Sequence, residues 1–452
     1  MNNPPRRYER SPKRKGQVPA IPPTVKVPTR ITPARAVAFE ILNLVGAGKG
    51  HSDELLHSSR TAALSPEDRN LTVALVMGVL RWQIALDARL AKLLDRPDQR
   101  LAEPVALALR MGAFQLLHMD RIPPHAVLNE SVELCRQAGQ PHAAGMVNAI
   151  LRKLAAAQKP GKRIFESPAA FAERLGHPLW LVERWVAAYG RDAALAICEY
   201  DQREPHGSSL FVESTVDELA SSPLPLMDDG SRLVAELAAA AIPDGSKSRV
   251  WDCCAAPGGK TLILALRNPD GDILATDVST QRLTQLKSRL QRYPYAEHVH
   301  CEVKDASKAQ FGTDATFDLI LCDVPCSGTG TLARNPEIRH QLCQPDLVRQ
   351  ATRQRAILSA ALRHLAPGGR LIYSTCSLEP EENEQVVAAV SSEIALTRIP
   401  LRPLIAKLGV LGILRQDEAA ALIASAVKDD ALRTLPGTHP CDGFYAVVLE
   451  RN

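Results

Sequence analysis

From about residue 228 the chain repeats one pattern: a short apolar run, a polar or reactive residue at its end, then a helical stretch. The runs are RVWDCC, DILATD, HVHCEV, FDLILCD and RLIYST, with FYAVVLE near the end. Strands alternating with helices predict a doubly wound parallel α/β sheet. Ligands of such sheets sit beyond the carboxyl ends of the strands. That places Asp252, Asp277, Asp305, Asp323 and Cys376 along one rim. Five such groups at five strand ends are hard to explain by packing alone.

The first strand ends in WDCCAAPGGKT. Small residues and glycines let the backbone approach a ligand closely, and the helix that follows favours negative charge at its start. A triphosphate-binding loop needs GxxxxGK[ST], but Cys254 stands where its first glycine belongs, and GxGxxG is absent. Asp277 lies nineteen residues after Gly258, where a carboxylate can bind two ribose hydroxyls. Asp305 closes the third run, beside the expected adenine. The set suits an adenosine-bearing ligand without a pyrophosphate, S-adenosylmethionine rather than NAD.

Upstream, residues 31–157 read as all-helical and 158–227 as a helical linker or RNA-binding subdomain. TPARAVAFEILNLV opens with Thr32 at an N-cap and Pro33 at the first helical position. In SPEDRNLTVALVMGVLRWQIAL, Ser65 and Asp68 are spaced like a capping box. The stretch SSLFVEST suggests a short strand. Residues 1–30 hold eight Lys/Arg against one Glu and are rich in proline. They read as a disordered basic tail, either an arm for phosphates or a solubilising extension. No run of eighteen apolar residues occurs and the start lacks the apolar core of a secretion signal. The expectation is therefore a cytoplasmic monomer without a membrane. Ten cysteines without a CxxC pair argue against zinc and for reduced thiols.

Two of those cysteines, Cys326 in DVPCSGTGTLARNPEIR and Cys376 in STCSLEPEENE, lie fifty residues apart, each just after an apolar run. Together with AAPGGKT and the terminal DGFYAVVLE, these segments resemble RNA (cytosine-C5) methyltransferases, in particular the bacterial 16S ribosomal RNA family known as RsmB (Sun or Fmu). IPPHAVLNESVEL and VNAILRKL resemble that family's NusB-like RNA-binding domain. Where the family has Arg-Val-Asn this chain has SSLFVEST, and Met227 stands in place of a glutamine. The resemblance implies a Rossmann-like S-adenosylmethionine methyltransferase domain over 228–452 behind a NusB-like domain over 31–157. It implies ribosomal RNA as partner and S-adenosylmethionine as cofactor, held by Cys254, Ala255, Ala256, Pro257, Gly258, Gly259, Lys260, Asp277, Asp305 and Asp323.

The chemistry explains why two thiols are wanted. Carbon 5 of cytosine is a poor nucleophile, and a thiolate adding to carbon 6 makes it enamine-like. The resemblance assigns that thiolate to Cys376 and release of the product to Cys326. It assigns recognition of the cytosine edge to Asp323 and a nearby positive charge to Lys260. A helix directly after Cys376 is expected to favour its ionisation, opposed by Glu379, Glu381, Glu382 and Glu384 unless these face elsewhere. Arg334, Arg339 and Arg353 are candidate phosphate contacts. An amino-methyltransferase would leave both cysteines idle and would carry an aromatic where Cys326 stands. A non-catalytic RNA-binding assembly or antitermination-like factor, or methylation of another RNA such as tRNA, remains the alternative.

Overall fold

The computed structural model describes residues 31–96, 100–157, 166–204, 210–212, 224–243, 247–311 and 315–451. The basic tail, and all of SSLFVEST except 210–212, lie outside them; Phe211 makes an isolated bridge to Leu414.

The first region is a helical bundle: α1 (Pro33–Gly46), α2 (Ser52–Leu56), α3 (Ser59–Ala62), α4 (Pro66–Ala91), α5 (Glu103–His118), α6 (Pro124–Gln137) and α7 (Ala144–Ala156). Its core is aliphatic, with Leu75, Val76, Val79, Leu109 and Met111 fully or almost fully buried. By length and composition α4 could cross a membrane, but it packs between α1 and α5 and half of its most apolar stretch is buried. Ser65 caps α4, its Oγ accepting from the Asp68 amide at 3.1 Å. Thr32 does occupy the N-cap of α1, but its side chain makes no cap bond. Its hydroxyl instead donates to Glu130 at 2.9 Å, which also takes the buried Arg35 at 3.0 Å. A charged acceptor inside the bundle outcompetes a backbone amide at its edge.

Three short helices follow, Pro168–Arg174, Leu179–Tyr189 and Arg191–Tyr200, packed around Phe171, Trp185 and Ile197.

The remainder is a nine-stranded sheet in the order β3-β2-β1-β4-β5-β9-β8-β7, with β6 also on β9. β1 (Arg249–Asp252), β2 (Asp272–Asp277), β3 (Val299–Val303), β4 (Phe317–Asp323) and β5 (Leu365–Thr375) run parallel. β6 (Leu396–Ile399), β7 (Val427–Lys428), β8 (Ala431–Arg433) and β9 (Tyr445–Arg451) extend it. The expected doubly wound parallel sheet is present in β1–β5, and β9 adds to it antiparallel on β5. A continuous apolar run such as YAVVLE specifies a buried strand but not its direction. One core layer lies on each face of the sheet.

The helical bundle docks onto the loop that follows β4. Arg81 of α4 donates to the Ala333 carbonyl at 2.8 Å, Arg339 donates to the Arg81 carbonyl at 3.1 Å, and the Ser52 hydroxyl donates to Glu337 at 2.9 Å. Arg339 is 2% exposed and also donates to the Gly176 carbonyl at 3.1 Å. It is therefore an inter-region clamp and not a phosphate contact, which corrects that expectation.

Candidate active site

β1 and β4 are parallel neighbours with Asp252 paired to Leu321, so Asp323, two residues further on, emerges just beyond Asp252 at the same edge. The turn after β1 wraps back on β2, with the Ala255 amide donating to the Thr276 carbonyl at 2.8 Å. Gly258 has φ +97°, and a Cβ there would sit 2.1 Å from Leu286 Cδ1; position and backbone both require glycine. The helix Gly259–Arg267 starts directly after it. A cavity of about 700 Å³ covers this loop, lined by Cys254 through Lys260 together with Asp252 and Asp323. Its outer wall comes from the helical bundle, through Val73, Ala74 and Met77 of α4.

Lys260 is the positive centre of the rim. Its Nζ lies 2.7 Å from Asp323 Oδ2 and donates to Ser231 Oγ at 2.8 Å. Burial pushes this ammonium down, but the charge and hydrogen bond of Asp323, then Cys376 and Asp252, outweigh it and hold it protonated. Asp323 is further fixed by Ser374 of β5, whose hydroxyl donates to Oδ1 at 2.9 Å. Asp252 is pushed up to about 7, chiefly by burial and against the 2.7 Å hydrogen bond from Thr261.

A second cavity, about 950 Å³, opens over Cys326 and Cys376; Asp53 and Asn335 line both. The two sulfurs are 3.3 Å apart. Backbone bonds set that distance. The Val324 amide donates to the Ser374 carbonyl at 3.0 Å, and the Gly330 amide to the Cys376 carbonyl at 2.9 Å. Gly330 also passes under Gly443, where a Cβ would lie 2.2 Å from a carbonyl oxygen. The Cys326 thiol is pushed well up, first by its hydrogen bond with Cys376, then by burial and the charges of Cys376 and Glu382.

No α-helix starts directly after Cys376. A 3-10 turn spans Pro380–Glu382 and the helix begins only at Glu384, so the expected dipole is eight residues away and falls outside its range. Three of the four glutamates face elsewhere. Glu379 takes Arg184 at 2.7 Å and the Trp185 indole at 3.0 Å, Glu381 takes Arg184 at 2.5 Å, and Glu384 pairs with Arg433. Glu382 turns inward to the cysteine loops.

The comparisons with known proteins bear on this geometry. Residues 240–450 match the family model described as 16S rRNA methyltransferase RsmB/F, and residues 32–156 match the NusB family. Ribosomal RNA small subunit methyltransferase B of Xanthomonas campestris is 32% identical, over 87% of this chain and 92% of its own length. The Klebsiella pneumoniae enzyme of the same name is 31% identical over 86% and 91%. This chain belongs to that family. It is an S-adenosylmethionine-dependent RNA methyltransferase with a NusB domain before a Rossmann-like one. The solved structure of PH0851 has the same fold, with a TM-score of 0.69 at 21% identity over 93% of this chain and 99% of that one.

The donor set fits the family's cofactor. Asp252 and Asp323, the carboxylates of β1 and β4 that line the cavity, suit a cationic nucleoside better than a phosphate. Asp277 is buried at the end of β2, its Oδ1 accepting from the Ser279 amide at 2.8 Å. Its Oδ2 faces Arg282 Nη1 at 3.4 Å, and Arg282 Nη2 donates to the Ala256 carbonyl at 2.5 Å. Asp277 does not line the cavity over the glycine loop; Arg282 stands where ribose hydroxyls were expected. Asp305 lies two residues past β3, exposed, capping the next turn through Ser307; hydrogen bonds from Ser307 hold its carboxyl low. Arg334 is engaged by Asp442 at 3.0 Å and Asp228 at 3.1 Å, which leaves Arg353 as the candidate phosphate contact lining the cysteine cavity. Sequence reading missed Arg282, Glu382 and the α4 wall. Each depends on pairings between distant segments, and only the Glu-rich PEENE segment gave a local signal.

Proposed function

We propose that this methyltransferase acts on carbon 5 of a cytosine in 16S ribosomal RNA, as a cytoplasmic monomer, through a covalent bond between Cys376 and carbon 6. Residues 31–157 bind RNA, 158–227 link, and 228–452 carry the chemistry. One observation supports this reading above the rest: two thiols 3.3 Å apart at one rim with the Lys260–Asp323 pair. An enzyme methylating a nitrogen or a 2′-oxygen has no use for them.

When bound, S-adenosylmethionine supplies the methyl group. Cys254 through Lys260, Asp277 with Arg282 displaced, Asp305 and Asp323 are the residues that would hold it. The target base must leave its stack, which costs a few kcal/mol. Asp323 then accepts from the cytosine amino edge while Lys260 and Ser374 hold it in place. The Cys376 thiolate forms a bond to carbon 6, and the electron pair displaced from the 5,6 double bond makes carbon 5 nucleophilic. For release, the carbon-5 proton must leave, its electrons must restore the double bond, and the sulfur–carbon bond must break. Cys326, whose sulfur is 3.3 Å from Cys376, is the group we assign to take the proton. The largest cause that raises its thiol, the hydrogen bond with Cys376, is removed once that sulfur is bonded to carbon, while burial and Glu382 still raise it.

The test is a pair of variants incubated with 16S transcript and S-adenosylmethionine. Cys326→Ala is expected to accumulate a covalent RNA adduct on denaturing gels, and Cys376→Ala to form none and to lose methylation. Equal adduct in both would refute the assignment.

A further inference from the structure

The carboxylate of Glu382 is fully buried and takes hydrogen bonds from both cysteine loops. On the Cys326 side, the Ser327 amide donates to Oε1 at 2.9 Å and the Ser327 hydroxyl donates to Oε2. On the Cys376 side, the Ser377 hydroxyl donates to Oε2 at 2.5 Å. Gln354, from the helix Gln344–Leu362, donates to Oε1 at 3.0 Å and with the same amide to the Pro325 carbonyl at 2.9 Å. The backbone is tied as well, since the Tyr373 hydroxyl donates to the Glu382 carbonyl at 2.5 Å. Four donors converge on two oxygens, and three of them come from Ser327 and Ser377, the residues that directly follow Cys326 and Cys376.

We propose that Glu382 is a positioning residue that holds the Cys326 loop in register with Cys376 for the release step. The inference rests on the roles proposed for the two cysteines. The geometry favours a carboxylate. An amide that keeps its oxygen toward the Ser327 amide and Gln354 turns its NH₂ toward the Ser327 and Ser377 hydroxyls, which must reverse from donors to acceptors, so the charge is lost and the bonds to both cysteine loops are rearranged. Hydrogen bonds to a charged acceptor are the stronger kind, so the frame is stiff. The groups that face Cys326 are Tyr373 of β5, Cys376 directly after it and Glu382 from the turn beyond; around the shared cavity stand Arg282, Arg349 and Arg353 and, against them, Asp53, Glu54, Glu337 and Asp346, with His51.

The experiment uses the full chain. Glu382→Gln is expected to lower kcat by about 100-fold with KM for RNA little changed, the scale of a displacement near 1 Å in a catalytic group, and to accumulate covalent adduct as Cys326→Ala does. Ser327→Ala keeps the carboxylate and removes one donor, and it should move kcat the same way by about tenfold, the cost of one charge-assisted bond. The second readout needs neither RNA nor cofactor. In a Cys376→Ala background, the pH midpoint for alkylation of Cys326, followed peptide by peptide, should fall when Glu382 becomes Gln, because a buried negative charge is removed. A loosened fold would instead speed labelling of the core cysteines, Cys253 and Cys322, alongside it. Turnover within twofold of the parent in both variants, an unmoved midpoint, or uniform labelling of all three cysteines would overturn the proposal. A parent enzyme and Cys326→Ala variant that both form no adduct would overturn the covalent reading instead, and the alkylation midpoint would still decide Glu382.

Discussion

The sheet carries two close cysteine pairs at its carboxyl edge. Cys253 and Cys322 have sulfurs 3.4 Å apart; Cys326 and Cys376 have sulfurs 3.3 Å apart. The first pair is 1% and 0% exposed and packs with Trp251, Ile320 and Tyr373 in the core. The second faces a cavity. Burial is the first cause pushing the Cys322 thiol up. At Cys253 the hydrogen bond with Cys254 pulls down but is outweighed by Cys322 and burial. Both core thiols stay neutral. Around Cys376, by contrast, stand a protonated Lys260, its partner Asp323 and a braced loop. Closeness of two sulfurs therefore does not make a reactive pair. On the proposed mechanism, an adjacent fixed charge, a route for substrate and a frame that holds the second thiol do.

The contrast can be broken at the charge. Lys260→Met keeps most of the side-chain volume and removes the ammonium, leaving Asp323 unpaired next to Asp252. Methylation should fall by about 100- to 1000-fold, the range seen on removing one preorganised electrostatic contact, measured as initial rates of methyl incorporation into 16S transcript. Activity within threefold would mean that the charge beside Cys376 is not what separates the two pairs. Asp277→Asn sharpens the contrast from the donor side. It leaves both sulfur pairs untouched and should weaken S-adenosylmethionine binding about tenfold by calorimetry, the worth of one charged hydrogen bond. The yield of covalent adduct in a Cys326→Ala background should not change. A loss of adduct would tie Asp277 to Cys376 rather than to the donor.

Much of this arrangement is legible in the chain. The β1–β5 runs, the glycine loop and the strand-end position of Asp252, Asp277, Asp323 and Cys376 follow from apolar runs and their punctuation. What escapes is set by partners far away in sequence. Glu382 reads as one more acid opposing a thiolate until Ser327, fifty-five residues earlier, is placed against it. Arg339 reads as a surface cation until α4 and the Gly176 turn close over it. Thr32 reads as a cap until Glu130, ninety-eight residues on, takes its hydroxyl. The Glu-rich run after Cys376 looks helical, but Glu379 and Glu381 are drawn to Arg184, Glu382 to Ser327 and Glu384 to Arg433, and the helix begins only at Glu384.

The smallest expected effect tests the comparison from its inert side. Cys322→Ala removes a sulfur from a filled core and should cost about 1 kcal/mol of stability, within the usual range for a small buried truncation, read as a lowered denaturant midpoint. Its kcat and KM should stay within twofold, because nothing in the cleft is bonded to that sulfur. Labelling with iodoacetamide at neutral pH should follow the same division, reaching exposed Cys343 and half-buried Cys376 well before Cys253 or Cys322. If Cys322→Ala silenced methylation while the chain remained folded, the core pair would be coupled to the reaction through β4, and position along that strand, rather than the charges around the cleft, would be what distinguishes one pair from the other.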